Sequence, residues 1–345
     1  MERQQEEGQR CEELQGFLRL LGNEIKDSDD ADEETYDLYA QDMPSSDLGI
    51  IDPKTIVLQL TVAGQDLTIH QSPGILSSAR AGGTTGAVTW RITPLFASWI
   101  SSPPNPLSTH LNLFNHHSPS SSSTTTVIEL GAGTSAIVGL LLAPKVSRYV
   151  LTDQGYVVKL AEKNITENWG AVSLSRQQQS GTGSKSKKPT KQTTAQGTNG
   201  SGGQEGPGER LVFRALDWET DTPTSSLAQP ASSSFDLVVA CDCIYNEALV
   251  DPFVTTCVDI CRLRHSDNTT SGSGEKRPTV VVVAQVLRNS DVFEAWLKRF
   301  VQDFRCWRVP DGMLIDGLKS GGGQGGGGGG TSGFVVHVGV LREGR

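Results

Sequence analysis

Val127-Ile128-Glu129-Leu130-Gly131-Ala132-Gly133-Thr134-Ser135-Ala136 runs from apolar residues into a Gly-X-Gly turn, and the apolar segment 137–143 follows it. This order predicts a strand, a tight loop and a helix. The glycines let the backbone turn sharply and come close to a ligand. The helix start is expected to offer unpaired N–H groups and a favourable dipole. Gly131, Gly133 and Ala136 satisfy the dinucleotide fingerprint G-x-G-x-x-G/A, and Asp153 follows Gly133 by 20 residues, where a ribose-binding acid belongs. On this stretch alone, NAD and S-adenosyl-L-methionine are both open. A glycine turn without a ligand is the weakest reading, because strand, loop, helix and downstream acid occur together.

Downstream, 147–153 reads as a second strand and 156–169 as a helix; 211–216 and 235–240 read as strands three and four. The near-continuous apolarity of 235–240 suits a strand buried on both faces. A helix over 247–263, a strand over 279–287 and a helix over 290–304 follow, and 306–309 with 334–341 form a closing strand pair. A helix is missing or hidden between strands three and four. Such alternation predicts an α/β fold, a mostly parallel sheet covered by helices on both faces. Ligands then bind at the carboxyl ends of the strands. Upstream, 55–60 and 65–70 alternate around Ala63-Gly64, a hairpin signal, and 92–101 reads as a helix stopped by Pro103-Pro104.

The expected organisation is an acidic, disordered tail over 1–34, an N-terminal extension with hairpin and helix over 35–101, and a disordered insert over 102–125. A main domain over 126–345 follows, with further inserts at about 175–209 and 319–333. Leu14, Phe17, Leu18 and Leu21 have helical spacing inside the tail. His110, His116 and His117 lack ligand partners and read as insert rather than metal site. Lys185, Lys187, Lys188 and Lys191 read as a solvated loop rather than a nuclear-import or nucleic-acid patch. The 321–330 polyglycine loses too much entropy on ordering to be a phosphate cradle.

The net charge of −9 over 345 residues argues against binding nucleic acid by overall charge, and agrees weakly with a basic protein substrate. No stretch resembles a signal peptide or a membrane span. The six cysteines show neither disulfide density nor zinc spacing. A reduced, metal-free protein of the cytoplasm, with the nucleus open to it, is expected.

Three observations favour S-adenosyl-L-methionine over NAD. Glu129 precedes Gly131 by two residues, giving E-x-G-x-G, the opening motif of the seven-stranded methyltransferases. The chain closes on an antiparallel strand pair rather than a second mononucleotide-binding half. Cys241-Asp242-Cys243-Ile244-Tyr245 ends strand four, where a loop would face the reactive end of the cofactor. Together with Leu151-Thr-Asp-Gln154 and Leu216-Asp-Trp218, these motifs resemble the family-16 protein-lysine methyltransferases. Upstream motifs, His70-Gln-Ser-Pro73 and Gly86-Ala-Val-Thr-Trp-Arg-Ile-Thr-Pro-Leu-Phe96 among them, narrow the resemblance to fungal members that modify a ribosomal protein. One departure is Ser135, where the general motif has a third glycine.

The resemblance implies a Rossmann-like seven-stranded sheet with a C-terminal antiparallel strand. It implies S-adenosyl-L-methionine as cofactor and a large-subunit ribosomal protein as substrate. Gly131, Ala132 and Gly133 would pass beneath the cofactor, Asp153 would accept its ribose hydroxyls, and Trp218 would border the adenine. Ala240 would allow close backbone approach, and Trp90 would contact the cofactor from upstream. Asp242 and Tyr245 would hold the substrate lysine, Asp242 as an orienting group rather than a strong base. The competing expectations are a catalytically silent cofactor-binding module and, behind it, a nicotinamide oxidoreductase.

Overall fold

A computed structural model describes residues 12–41, 49–80, 83–114, 124–179, 207–270, 277–319 and 333–344. Helix α1 covers 12–20. The elements that follow are β1 (Glu24–Ile25), α2 (Ser28–Tyr39), β2 (Val57–Val62), β3 (Gln65–His70), α3 (Pro73–Leu76), α4 (Ile92–Ile100) and α5 (Pro106–Thr109). Then come β4 (Thr126–Leu130), α6 (Ile137–Leu142), β5 (Arg148–Asp153), α7 (Val158–Gln179), β6 (Leu211–Ala215) and β7 (Leu237–Cys241). The chain closes with α8 (Val250–Thr270), β8 (Val280–Val286), α9 (Ser290–Asp303), β9 (Phe304–Arg308) and β10 (Phe334–Leu341).

Eight strands form one sheet in the order β1-β9-β10-β8-β7-β4-β5-β6. The pairs β4–β5, β4–β7, β5–β6 and β7–β8 are parallel. β10 runs antiparallel to β8 and β9. The expected mostly parallel sheet with its C-terminal antiparallel strand is therefore present. Strand order reverses at β4, whose neighbours β5 and β7 lie on opposite sides, and this opens a crevice beyond its carboxyl end.

Alternation along each strand divides the core. Leu237, Val239 and Cys241 pack with α1, α4, α6 and the β2–β3 hairpin on one face. Val238 and Ala240 pack with α2, α8 and α9 on the other. In α6, Gly139 lies so near the sheet that a Cβ would meet Leu151 Cδ2 at 2.8 Å.

The N-terminal region departs from expectation. The acidic stretch is not a solvated tail over its described part. Leu14, Phe17, Leu18 and Leu21 are buried, and β1 adds an eighth strand, antiparallel to β9. Asp27 caps α2, its Oδ1 accepting from Asp29 N and Asp30 N at 3.1 Å. Acids in a first turn face the positive end of the helix dipole, so a run of negative charge here stabilises a helix start.

The disorder expected over 102–125 does not hold for 102–114. Asn105 caps α5, and Leu107, Leu111, Leu113 and Phe114 are buried. His110 is exposed, while His116 and His117 lie outside the described residues, as do the four lysines of the 175–209 insert and the polyglycine. Helix α7 continues to Gln179, into that insert. Between β6 and β7 only a single 3-10 turn, Ser225–Leu227, stands where a helix was missing from the pattern. No helix among the described residues is long and apolar enough to cross a membrane.

The hairpin turns at Ala63 (φ 50°) and Gly64 (φ 77°). Its β3 edge is closed by two asparagines of α7. Asn168 Oδ1 accepts from Thr68 N and its Nδ2 donates to Thr68 O. Asn164 repeats the exchange one helical turn earlier with His70 N and O, at 2.8 and 2.9 Å. Each side-chain amide replaces the strand neighbour that an exposed edge lacks. Asn164 Nδ2 also donates to Thr134 O, tying the hairpin to the glycine loop.

Candidate active site

At the end of β4 the chain takes positive φ at Gly131 (67°), Gly133 (62°) and Ala136 (54°). Ser135 is outside this set, so the missing third glycine costs no strain there. A Cβ on Gly131 would meet Cys243 Sγ at 2.6 Å and Trp218 at 3.4 Å. Only glycine keeps that floor open.

The amides of the loop are already bonded. Ala132 N donates to Thr152 O (3.0 Å), Gly133 N to Asp153 Oδ2 (2.8 Å) and Thr134 N to Gly86 O (2.8 Å). These amides belong to the loop that precedes α6, which itself begins at Ile137. These three consecutive N–H groups hold the loop to β5 and to the upstream segment, and none is directed to a ligand phosphate. A dinucleotide needs such donors for its pyrophosphate.

Asp153 ends β5. Its Oδ1 accepts from Gln154 N at 2.6 Å, and burial raises its pKa to about 6 against the pull of these two amides. Each oxygen retains lone-pair capacity for further donors. Glu129 lies deeper, 2% exposed, and burial pushes its pKa up to about 8 although Tyr149 OH donates to Oε2 at 2.7 Å. It holds its proton at neutral pH.

These groups line a cleft of about 850 Å³, mouth included. Trp90, Gly131, Ala132, Gly133, Asp153, Trp218, Asp242 and Tyr245 all border it. Trp218 is held edge-on against Phe253, with centroids 5.2 Å apart. Ala240 does not border the cleft. Strand alternation turns it to the opposite face, and Cys241 takes the lining position.

Four contributions are given no role by the sequence. Gly83, Thr85 and Gly86, between α3 and α4, form a wall of the cleft, which Trp90 Nε1 steadies by donating to Thr85 O at 3.1 Å. Tyr156, beneath the Arg80 guanidinium at 4.1 Å, joins this wall. Cys241 and Cys243 flank the end of β7; burial raises both thiols, so they stay protonated. Arg288, just beyond β8, donates from Nη1 to Asp242 Oδ1 (2.7 Å) and from Nη2 to Oδ2 (2.6 Å). No local motif marks Arg288, because its partner lies 46 positions earlier in the chain.

Tyr245 is 40% exposed, and burial of the rest of the ring raises its hydroxyl pKa, with Thr85 as a hydrogen-bond partner. The cleft therefore has a glycine floor and aromatic walls, with the carboxylates of Asp153 and Asp242 and the Tyr245 hydroxyl among its lining groups. That arrangement suits a nucleoside without phosphates beside an incoming side chain.

Comparison with known proteins agrees with this geometry. The family profile described as lysine methyltransferase matches residues 74–179 and 200–277. The chain is 31% identical over 249 residues to ribosomal lysine N-methyltransferase 5 of Zygosaccharomyces rouxii, covering 69% of this chain and 71% of the relative. The protein of that name from Eremothecium gossypii is 26% identical over 286 residues, 76% of this chain and 83% of the relative. That of Candida glabrata is 28% identical over 327 residues, 80% and 86% respectively.

Proposed function

As a member of the lysine methyltransferase family this chain is a protein-lysine N-methyltransferase, and we propose that it uses S-adenosyl-L-methionine to methylate a large-subunit ribosomal protein. The observation that carries the cofactor assignment is the closed glycine loop, bonded to Asp153 and close to Trp218, lining one cleft with them. Its fit to S-adenosyl-L-methionine is chemical. The cofactor has ribose hydroxyls for Asp153 and an adenine for Trp218, and it has no phosphate to ask for the amides bonded within the protein. The ribosomal substrate follows from the names of the relatives, and the acidic net charge of −9 suits a basic partner. We place its action in the cytoplasm on the same ground.

When bound, the cofactor would supply a sulfonium methyl to the lone pair of a neutral lysine amine, the C–S bonding pair leaving with sulfur and one amine proton passing to water. The protein's own work is positioning. Gly131, Ala132 and Gly133 set the floor, Asp153 fixes the ribose, and Trp90 and Trp218 exclude water from the walls. Asp242 and Tyr245 direct the lysine side chain.

Tritiated methyl donor, purified protein and large-subunit proteins from cells lacking this gene test the assignment. Label on one lysine, located by mass spectrometry, is expected. Binding of S-adenosylhomocysteine with no label in any protein would leave a silent binding module instead.

The Asp153 role predicts a pH dependence. Its folded pKa lies above the ordinary carboxylate value, so the free site takes up a proton as pH falls through about 6. Ribose hydroxyls need the ionised form as acceptor. Calorimetric affinity for S-adenosylhomocysteine should be constant above that pH and fall up to about tenfold per unit below it. Asp153→Asn should bind weakly with a flat profile; an equally steep profile in that variant would remove Asp153 from the role.

A further inference from the structure

Asp242 leaves β7 at φ 61°, its N–H donating to Ala284 O at 2.7 Å. Its side chain is 3% exposed, and both carboxylate oxygens are engaged by Arg288, with Val286 N 3.4 Å from Oδ1. Arg288 is fixed in turn by separate parts of the chain. Its guanidinium carbon lies 4.7 Å over the Trp90 ring, and a Cβ on Gly49 would sit 3.4 Å from Nη2. This is a built-in arginine, stacked and bidentate, rather than a mobile surface cation. An arriving lysine meets a carboxylate whose charge is already matched.

The chemistry makes two opposed demands on Asp242. A nearby carboxylate draws in an ammonium ion, but it also raises the amine's pKa, by roughly 1–3 units when unpaired within about 4–6 Å. Methyl transfer needs the neutral amine. Resting on the lysine-methyltransferase reading above, we infer that Arg288 is a positioning residue of the lysine site: it absorbs the charge of Asp242, so the carboxylate directs the substrate amine without holding it as ammonium.

The surroundings leave this pair in control. Burial keeps the Cys241 and Cys243 side chains protonated beside it, and Tyr39, facing Arg288 from α2, likewise; burial also raises Tyr245, which bonds to Thr85. Tyr156 across the cleft is raised by burial too, and Glu129 holds its proton. Asp153 and Asp217 are the other carboxyl groups lining the cleft, Asp153 on the cofactor side and Asp217 next to Trp218.

The test is the pH–rate profile with a saturating large-subunit ribosomal protein fraction. Arg288→Met leaves Asp242 unmatched. Its acid limb should move up by about 1–3 pH units, and its rate at neutral pH should fall about 10- to 10³-fold and recover in alkali. Its apparent KM for the fraction should not rise. Arg288→Lys keeps the charge, and its limb should stay in place. Asp242→Asn with Arg288→Met removes both charges and should return the limb to the wild-type position. Calorimetric affinity for S-adenosylhomocysteine should stay within about threefold of wild type in every variant, which reports an intact cleft independently of turnover.

A rate loss equal at every pH, or a double variant displaced as far as the single one, overturns the inference. If Arg288→Met does not fold, a displaced limb in either of the other variants overturns it. Active wild type with an unmoved limb removes this inference alone. Wild type that transfers to no protein removes the functional reading with it.

Discussion

Asp242→Asn is expected to lower the rate of methyl transfer at saturating substrate by about 10²-fold or more, the usual cost of misplacing a reacting group by an ångström. The substitution preserves shape and removes charge. It takes from the lysine its directing carboxylate, and it replaces one of the two oxygens that accept from Arg288 with an amide NH2 that cannot accept. Breaking a buried ion pair by removing one partner costs roughly 3–5 kcal/mol. Arg288 retains 19% exposure of its side chain, so the loss should fall at the lower end of that range. The acid limb should move to lower pH, opposite to Arg288→Met, because the uncompensated cation disfavours an ammonium ion nearby. Melting temperature, initial rate and pH profile check the three parts separately. Equal labelling by wild type and variant would show that Asp242 has no part in transfer.

Gly131→Ala is the second large effect. At φ 67° a Cβ costs about 1–2 kcal/mol of backbone strain. The same atom would stand 2.6 Å from Cys243 Sγ and 3.4 Å from Trp218, so it must push the thiol or the indole into the cleft. Overpacking of this kind costs roughly 1–3 kcal/mol. Cofactor binding should carry most of it, since the displaced groups line the binding wall. Affinity for S-adenosylhomocysteine should fall about 10- to 100-fold, with a smaller fall in melting temperature. Adding Cys243→Ala makes room and should recover part of the affinity. Gly312→Ala is the control: its Cβ meets nothing within 4 Å, and its effect should be within about 0.5 kcal/mol. Affinity for Gly131→Ala within twofold of wild type would show that the glycine floor does not face the cofactor.

Much of this site could be read before any fold was known. The glycine positions, Asp153 and the segment from Asp242 to Tyr245 all lie at strand ends, and strand ends are marked by apolar runs that stop. The wall made by Gly83, Thr85 and Gly86 could not be read in this way. Its one regular element is a three-residue 3-10 turn, Thr85–Ala87, too short to show a period, and the Thr134 N to Gly86 O bond ties it to the glycine loop. The acidic N-terminal run misled for a related reason. Charge density predicts a disordered tail, but Asp27, Asp29 and Asp30 stand at a helix start, where two backbone N–H groups donate to Asp27 and the dipole favours negative charge.

What the sequence by itself determined is local and periodic. Strand, turn and helix order follow from apolar spacing, and Gly131 and Gly133 follow from a backbone that needs positive φ. The parity that turns Ala240 from the cleft and Cys241 toward it depends on which face of β7 the glycine loop crosses. The tertiary structure alone decided that the loop amides are bonded internally, and that Asp242 meets Arg288. Both depend on strand order, since β7 and β8 lie side by side although 38 residues separate the end of one from the start of the other. A hydrogen bond or ion pair is a matter of ångströms in space, and distance along the chain does not encode it until the sheet has formed.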